Sequence, residues 1–442
     1  MRHASLIAVL AGCDDGGATT VDDPTTTATL ATTTTATAEA TAIASATATP
    51  SLDPADLEAR LREIEAAVVE IRGLEPGPNS ARTLVDGEQI ADRIAAELTE
   101  PAAVEELARE ERLLRLLGLL PPDVELEDVY SAYLGQAVLG LYDPATGELL
   151  VRADGAFDTL AEVTYAHEFT HELQDEHFDL LPLIEGASGD RDAAAALSAL
   201  IEGDASAVQY TYMLRHLDAG RAAELLDVAL GLQGELPTDT PPAVQAAIEF
   251  PYLAGLLFAI DLRASAGLEG LDGAYADPPT TTEQILHPEK YLAREGALPV
   301  ELPDLAAALG AGWTVEDRST IGELTLRSWL DALGLGTEDA ANLARAAAAG
   351  WGGDAYVVLR DGDGHLALAA RMAWDDPDDA AEFADRLADV LDAAPGYGRM
   401  GGTPRWDGPA GVLGLASTLD GATAIAVAPT GEAVDALLAA LQ

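Results

Sequence analysis

The chain has 442 residues and a formal net charge of −52 at pH 7, because it contains 76 acidic side chains and only 24 basic ones. This negative charge argues against nucleic acid as a partner and against electrostatic attachment to anionic lipid, since both would be repelled. Cationic or polar peptides would instead be attracted. The chain has one cysteine, Cys13, so an intrachain disulfide is excluded.

The amino terminus resembles a bacterial lipoprotein signal. A basic start over residues 1–3 and a short apolar stretch over residues 4–10 lead to Leu10-Ala11-Gly12-Cys13. Segment 1–13 is therefore predicted to be the signal, with Cys13 lipidated after cleavage and the protein held outside the cell on its membrane. The alternative is a free cysteine in a disordered arm. Residues 14–52 are rich in Thr and Ala, cannot form a core, and are predicted to be a flexible tether.

Helices and one hairpin are predicted before the first motif. Amphipathic helices are expected over Leu57–Leu74 and Gln89–Leu120. Two strands, Ala137–Tyr142 and Glu148–Val151, then flank the turn Asp143–Gly147, in which Pro and Gly favour a hairpin.

The strongest motif is His167-Glu168-Phe169-Thr170-His171, within a helix predicted from the N-cap Asp158 to Phe178. With about 3.6 residues per turn, the two histidines lie on one face, where both imidazoles can bind one metal ion. Glu168 can then accept a proton from a metal-bound water. The alternative is a surface helix with two solvated histidines.

A catalytic zinc usually has three protein ligands, and Glu202 is the leading candidate for the third. It lies in the predicted helix Arg191–His216, inside an apolar run where an unpaired carboxylate would be costly to bury. Asp175 and Asp204 are near the ligands in sequence and are candidate partners for them, but in so acidic a chain we expect both to be solvated. Three alternative third ligands stay open: Glu176, His177 and Glu185.

HEFTH followed by ALIEGDA resembles the gluzincin type of zinc metallopeptidase. A broader set of strings between about residues 137 and 383 resembles predicted bacterial secreted or lipoprotein members of that type. The resemblance implies an α+β, mainly helical, zincin-like core that acts on peptides or proteins. It implies Zn²⁺ as cofactor, His167, His171 and Glu202 as its ligands, and Glu168 as general base.

Two further expectations concern substrate binding and catalysis. In zincins a strand beside the active-site helix pairs with extended substrate, so the predicted hairpin is a candidate for that edge; an ordinary core hairpin is the alternative. Hydrolysis also needs a group that stabilises the oxyanion. His287 is the leading candidate and Tyr291 the second, although a His before a Pro is more often structural.

The remaining segments suggest two folded units, a helical zincin-like peptidase domain over 53–298 and a C-terminal α+β lobe over 299–442. The apolar helix Pro242–Ala264 is predicted to be a buried scaffold, since Pro251 and Asp261 make it a poor membrane span. Beyond it, a ββα pattern occurs twice. The run Asp361–Gly364 is predicted to be a hairpin turn rather than a calcium loop, and His365 to be hairpin surface.

Two functions therefore remain. The first is a lipid-anchored zinc metallopeptidase. The second is a zincin-derived, non-catalytic lipoprotein that binds peptide or serves as a cell-envelope scaffold. Glu168 favours the enzyme, because a scaffold needs no base beside its metal.

Overall fold

The computed structural model describes residues 53–77, 82–137, 140–153, 157–223, 225, 240–334, 337–401 and 404–442. The protein is α+β and mainly helical, which confirms the predicted fold class at that level. Cys13 and the predicted tether lie outside the described residues.

Four helices form the N-terminal part: α1 (Pro54–Arg72), α2 (Gly87–Leu98), α3 (Pro101–Leu116) and α4 (Leu126–Ala137). The single helix predicted over Gln89–Leu120 is thus wrong, because it is two helices that meet at Pro101. Proline has no N–H to donate and clashes with the preceding turn, so it begins a helix readily but interrupts one.

A three-stranded sheet lies among these helices. Its strands are β1 (Arg82–Val85), β2 (Gly140–Asp143) and β3 (Glu148–Arg152), in the order β1-β3-β2. The predicted hairpin is present as antiparallel β2 and β3, but its first strand does not begin at Ala137, which still belongs to α4. The short β1, which was not predicted, pairs parallel with β3. This order leaves β2 at the edge of the sheet.

Helices α5 (Thr159–Phe178), α6 (Leu180–Ala187), α7 (Arg191–His216) and α8 (Pro242–Ala276) follow. Asp158 caps α5 as predicted, since its carboxylate accepts a hydrogen bond from Ala161 N at 2.9 Å. The bounds of α7 agree with the prediction. Helix α5 contacts α1, α7 and β2.

Helix α8 is longer than predicted and packs along α7. Gly267, with φ 69° and ψ −167°, interrupts its helical geometry. Within the described ranges, α8 alone is long and apolar enough to cross a membrane, with a mean hydropathy of 1.6 over 18 residues. Only 39% of that window is buried inside the protein, which is less than expected of the predicted buried scaffold helix.

The two helices cross in backbone contact. A Cβ added at Gly203 of α7 would lie 2.1 Å from the carbonyl carbon of Gly255 in α8. A Cβ added at Gly255 would lie 2.1 Å from the carbonyl oxygen of Ala199. Only glycine allows so close an approach. Glu202 is the residue before Gly203 and therefore lies next to this crossing.

The C-terminal part adds seven helices and seven strands among the described residues. They are α9 (Thr282–Leu286), α10 (Pro288–Leu292), α11 (Leu305–Leu309), β4 (Thr314–Ser319), α12 (Gly322–Leu333), α13 (Glu338–Ala348), β5 (Trp351–Arg360), β6 (Leu366–Trp374), α14 (Pro377–Ala393), β7 (Gly398–Arg399), β8 (Arg405–Gly408), β9 (Gly411–Ser417), β10 (Thr423–Ala428) and α15 (Gly431–Ala440). The strands form one antiparallel sheet in the order β4-β5-β6-β10-β9-β8-β7. Both predicted ββα units, β5-β6-α14 and β9-β10-α15, are present.

One hydrophobic cluster crosses the boundary predicted between residues 298 and 299. It joins Leu117 and Val244 from the N-terminal part to Trp329 and the C-terminal sheet. Trp329 is fully buried and donates from Nε1 to the carbonyl oxygen of Leu117 at 2.9 Å. The two parts therefore share a core.

Candidate metal centre

Helices α5 and α7 bring together His167, His171 and Glu202. Nε2 of His167 lies 3.1 Å from Oε2 of Glu202, and Nε2 of His171 lies 3.5 Å from the same oxygen. One ligand atom from each of the three side chains falls within 4.8 Å of the others. All three are at most 2% exposed. Two imidazoles and a carboxylate at these distances are a donor set that can hold a metal ion.

The local sequence explains why these side chains point inward. Helix α5 is buried on all sides from Ala161 to Gln174, so the histidine pair cannot be solvated as in the surface-helix alternative. Glu202 follows Ala199, Leu200 and Ile201, all buried, and small residues at the α7/α8 crossing bring its backbone deep into the protein.

Glu168 lies against the edge strand β2. Its Oε2 accepts a hydrogen bond from the backbone N–H of Tyr142 at 2.9 Å. Its Oε1 is buried and has no hydrogen-bond partner within the described part of the chain. The absence of a side chain at Gly140 makes room for it, because a Cβ there would lie 2.9 Å from Glu168 Cγ. The strand therefore orients one carboxylate oxygen and leaves the other available.

The charges of the cluster are strongly coupled. Burial raises the pKa of Glu168 to about 8, and the nearby Glu202 carboxylate adds to this rise. Burial opposes the charged form of Glu202, but the two histidines outweigh it and lower the pKa of Glu202 to about 2. For His171, burial alone would lower the pKa, whereas the Glu202 carboxylate raises it to about 9. The site thus favours positive charge beside Glu202.

Asp204 is not solvated, contrary to the sequence-based expectation, whereas Asp175 is half-buried. Asp204 is fully buried next to Arg72, whose Nε lies 2.9 Å from its carboxylate. Asp175 accepts hydrogen bonds from Tyr142 Oη at 2.7 Å and Leu180 N at 2.8 Å. For Asp204 the expectation failed because Arg72, 132 residues away in the chain, compensates its charge, and local sequence does not reveal such a partner.

The alternative third ligands lie elsewhere. Glu176 accepts from the backbone N–H of Gly77, and His177 contacts the carbonyl oxygen of Glu75 at 2.8 Å. Glu185 is exposed on α6. Of the four candidates, the structure places Glu202 with the histidine pair.

The two predicted oxyanion groups have other contacts. Nε2 of His287 lies 3.1 Å from a carboxylate oxygen of Glu323 in α12. Tyr291 donates from Oη to the carbonyl oxygen of Asp277 at 2.8 Å and packs its ring edge-on against Phe258. Neither His287 nor Tyr291 lines the cavity that reaches Glu202.

That cavity has a volume of about 680 Å³ and lies between α3, α4, α7, α8 and α12. Its wall includes Glu202 and Tyr252, and the Tyr252 ring centroid lies 6.5 Å from that of His167. Burial and the negative charge of Glu202 raise the pKa of Tyr252 well above its usual range. Sequence reasoning missed this residue, because a tyrosine in an apolar helix gives no signal of a neighbouring metal site.

A second cluster that could hold an ion lies on the protein surface. Asp361, Asp363 and His365 lie together on the β5–β6 turn. Asp361 accepts from the backbone N–H groups of Asp363 at 2.9 Å and His365 at 2.8 Å, which confirms the predicted turn. The His365 side chain is 60% exposed, as expected of hairpin surface.

Comparison with known proteins gives one match. Residues 312–438 match a family described as a domain of unknown function, DUF8575. No curated protein and no solved structure matched the chain. The matched stretch lies inside the C-terminal lobe and contains none of His167, Glu168, His171 or Glu202. The family match therefore does not bear on the candidate metal centre.

Proposed function

We propose that this protein is a zinc-dependent metallopeptidase with a zincin-like active site of the gluzincin type. The proposal rests on one observation: two helices bring His167, His171 and Glu202 together, and Glu168 lies beside them. Two imidazoles and one carboxylate are a ligand set typical of catalytic zinc. The proposal includes the membrane attachment expected from Cys13.

The buried polar atoms of the cluster fit a bound cation. His171 Nε2 and Glu168 Oε1 are both buried without a hydrogen-bond partner in the described structure. Such atoms cost free energy unless a ligand or water satisfies them. Zinc held by His167, His171 and Glu202 would supply Lewis-acid activation of water.

The chain's own contribution to hydrolysis is proton transfer by Glu168. In the ionised form of Glu168, the N–H of Tyr142 holds Oε2, which leaves Oε1 to accept the proton of the attacking water. The same oxygen can then deliver that proton to the leaving amine. Its buried position keeps this exchange away from bulk water.

The surroundings of the proposed active site favour a peptide or protein as the substrate. The cavity of about 680 Å³ reaches Glu202. The edge position of β2 beside Glu168 agrees with a strand that pairs with extended substrate. The net charge of −52 disfavours anionic polymers.

The test is metal analysis together with cleavage of a peptide library by the purified protein. We expect one zinc per chain and cleavage that a chelator abolishes. Glu168→Gln should keep the zinc and lower turnover by about 10²–10⁴-fold, because it removes the general base. Glu176→Gln is the matched control, because Glu176 is an exposed residue on the same helix. This variant should keep the wild-type zinc content and turnover.

Three outcomes would contradict the proposal. A protein without bound zinc would refute the metal centre. A Glu168→Gln variant as active as the wild type would refute the role of the base. Zinc and peptide binding without any cleavage would favour the non-catalytic peptide-binding lipoprotein instead.

A further inference from the structure

Gln174 connects the metal centre to a buried ion pair. It lies one turn after His171 on α5, and its Oε1 is 2.8 Å from Nδ1 of His171. Its Nε2 lies 3.0 Å from the carbonyl oxygen of Ile201 and 3.1 Å from Oδ2 of Asp204. Both of these partners are acceptors, so the NH₂ group of the amide must face them.

This orientation fixes the protonation pattern of His171. Because the NH₂ group of Gln174 faces α7, its carbonyl oxygen must face the imidazole. Nδ1 of His171 therefore carries a proton and donates it to Gln174. In the neutral imidazole, the form that binds metal, the lone pair is then on Nε2, the atom directed toward Glu202.

Asp204 is in turn held by two groups from other helices. Arg72 at the end of α1 places Nε 2.9 Å from the carboxylate, and Tyr275 of α8 donates from Oη at 2.9 Å. Arg72 is 1% exposed and also lies 2.7 Å from Oδ1 of Asp272. Removing either partner of a buried ion pair leaves an uncompensated charge in the interior, so the two side chains hold each other in place.

We infer that Arg72, Asp204 and Gln174 form a positioning chain that orients His171 for metal binding. This inference rests on the proposed metal site. It makes α1 an integral part of that site, because α1 supplies Arg72, the cation at one end of the positioning chain. Positioning partners of this kind typically change metal affinity about 10–100-fold when they are removed.

The test compares four proteins by zinc affinity in chelator competition and by the absorption spectrum of bound Co²⁺. Gln174→Leu removes the acceptor of the His171 N–H, and Tyr275→Phe removes one donor to Asp204 with little risk to folding. Arg60→Gln is the matched control, since Arg60 also lies on α1 and pairs with a buried acid, Glu162, that does not contact Gln174.

We expect Gln174→Leu to bind zinc about 10–100-fold more weakly and to shift the Co²⁺ spectrum, and Tyr275→Phe to weaken binding by a smaller factor. Arg60→Gln should keep the wild-type affinity and spectrum even if its melting temperature falls.

Unchanged zinc affinity and Co²⁺ spectrum in folded Gln174→Leu would overturn the positioning chain alone. An equal loss in Arg60→Gln would also overturn it, since general destabilisation would then explain the effect. Failure of the wild type to bind either metal would refute the proposed function as well.

Discussion

Glu168 depends on a neighbouring residue that has no side chain. Gly140 leaves the space into which the carboxylate extends, and Tyr142, two residues further along β2, donates the N–H that orients Oε2. The proposed base is therefore held from the backbone of a strand, which moves less than a flexible side chain would. This arrangement separates control of the base from control of the metal ligands.

Gly140→Ala should lower turnover while zinc content stays at the wild-type level. The added Cβ would lie 2.9 Å from Glu168 Cγ, so the carboxylate must move away from its position. A misplacement of about 1 Å can cost about 10²-fold in rate, and we expect a loss of that order in kcat. Gly186→Ala, where an added Cβ meets nothing within 4 Å, is the control. Unchanged kcat in Gly140→Ala would show that the space beside Glu168 is not required.

At the scale of elements, the crossing of α7 and α8 determines how deeply Glu202 lies. Gly203 and Gly255 allow the two backbones to touch, and Glu202 is adjacent to this contact on α7. Helix α5 then packs against α7 from another side and supplies both histidines. The candidate metal site is thus assembled by helix packing, so a change in one helix crossing should alter the arrangement of its side chains.

Gly203→Ala tests this dependence. Its Cβ would lie 2.1 Å from backbone atoms of Gly255, so the helices must separate; overpacking of this kind costs about 1–3 kcal/mol of unfolding free energy. Zinc affinity should fall together with stability. Gly273→Ala in α8, where the Cβ meets nothing within 4 Å, should leave zinc affinity unchanged and raise stability by up to about 1 kcal/mol. Urea unfolding and zinc titration measure both effects; equal behaviour of the two variants would contradict the prediction.

At the scale of the whole molecule, the N-terminal helices and the C-terminal lobe are joined by more than the shared core. Asp192, at the start of α7 and 2% exposed, accepts a hydrogen bond from Thr282 N of α9 at 3.0 Å. Thr282 Oγ1 accepts in turn from Leu324 N of α12 at 3.2 Å. Burial raises the pKa of Asp192 to about 7, with a further rise from nearby Asp354, although hydrogen bonds from Thr282 act in the opposite direction.

This pKa predicts that Asp192 stabilises the fold in acid. An unfolded carboxyl group titrates near pH 3.9, so between about pH 4 and 7 the folded protein holds a proton that the unfolded chain releases. The contribution of Asp192 to the free energy of unfolding is fully present below about pH 4. It decreases by up to about 1.4 kcal/mol per pH unit and is lost as the pH rises through about 7. Urea unfolding of wild type and Asp192→Asn from pH 4 to 8 measures it as the difference between them. A difference that is constant with pH would refute the prediction.

Local signals in the sequence were sufficient for most elements. The Asp158 cap, the bounds of α7 and the two ββα units were all predictable, because caps and hydrophobic periodicity act over a few residues. The pairing of His167 with His171 was equally predictable, since two residues four apart on a helix share a face wherever that helix lies. The short, polar strands β4, β7 and β8 carry no such periodicity and were missed.

By itself, the sequence determined the charge, the spacing of the HEFTH motif and most of the long helices. Only the tertiary structure decided that Glu202, rather than Glu176, His177 or Glu185, joins the histidine pair, and that Asp204 is buried opposite Arg72. These contacts join residues that are 31 and 132 positions apart in the chain. Their geometry follows from how the helices pack, which depends on the whole set of apolar surfaces and glycine contacts and not on any local pattern.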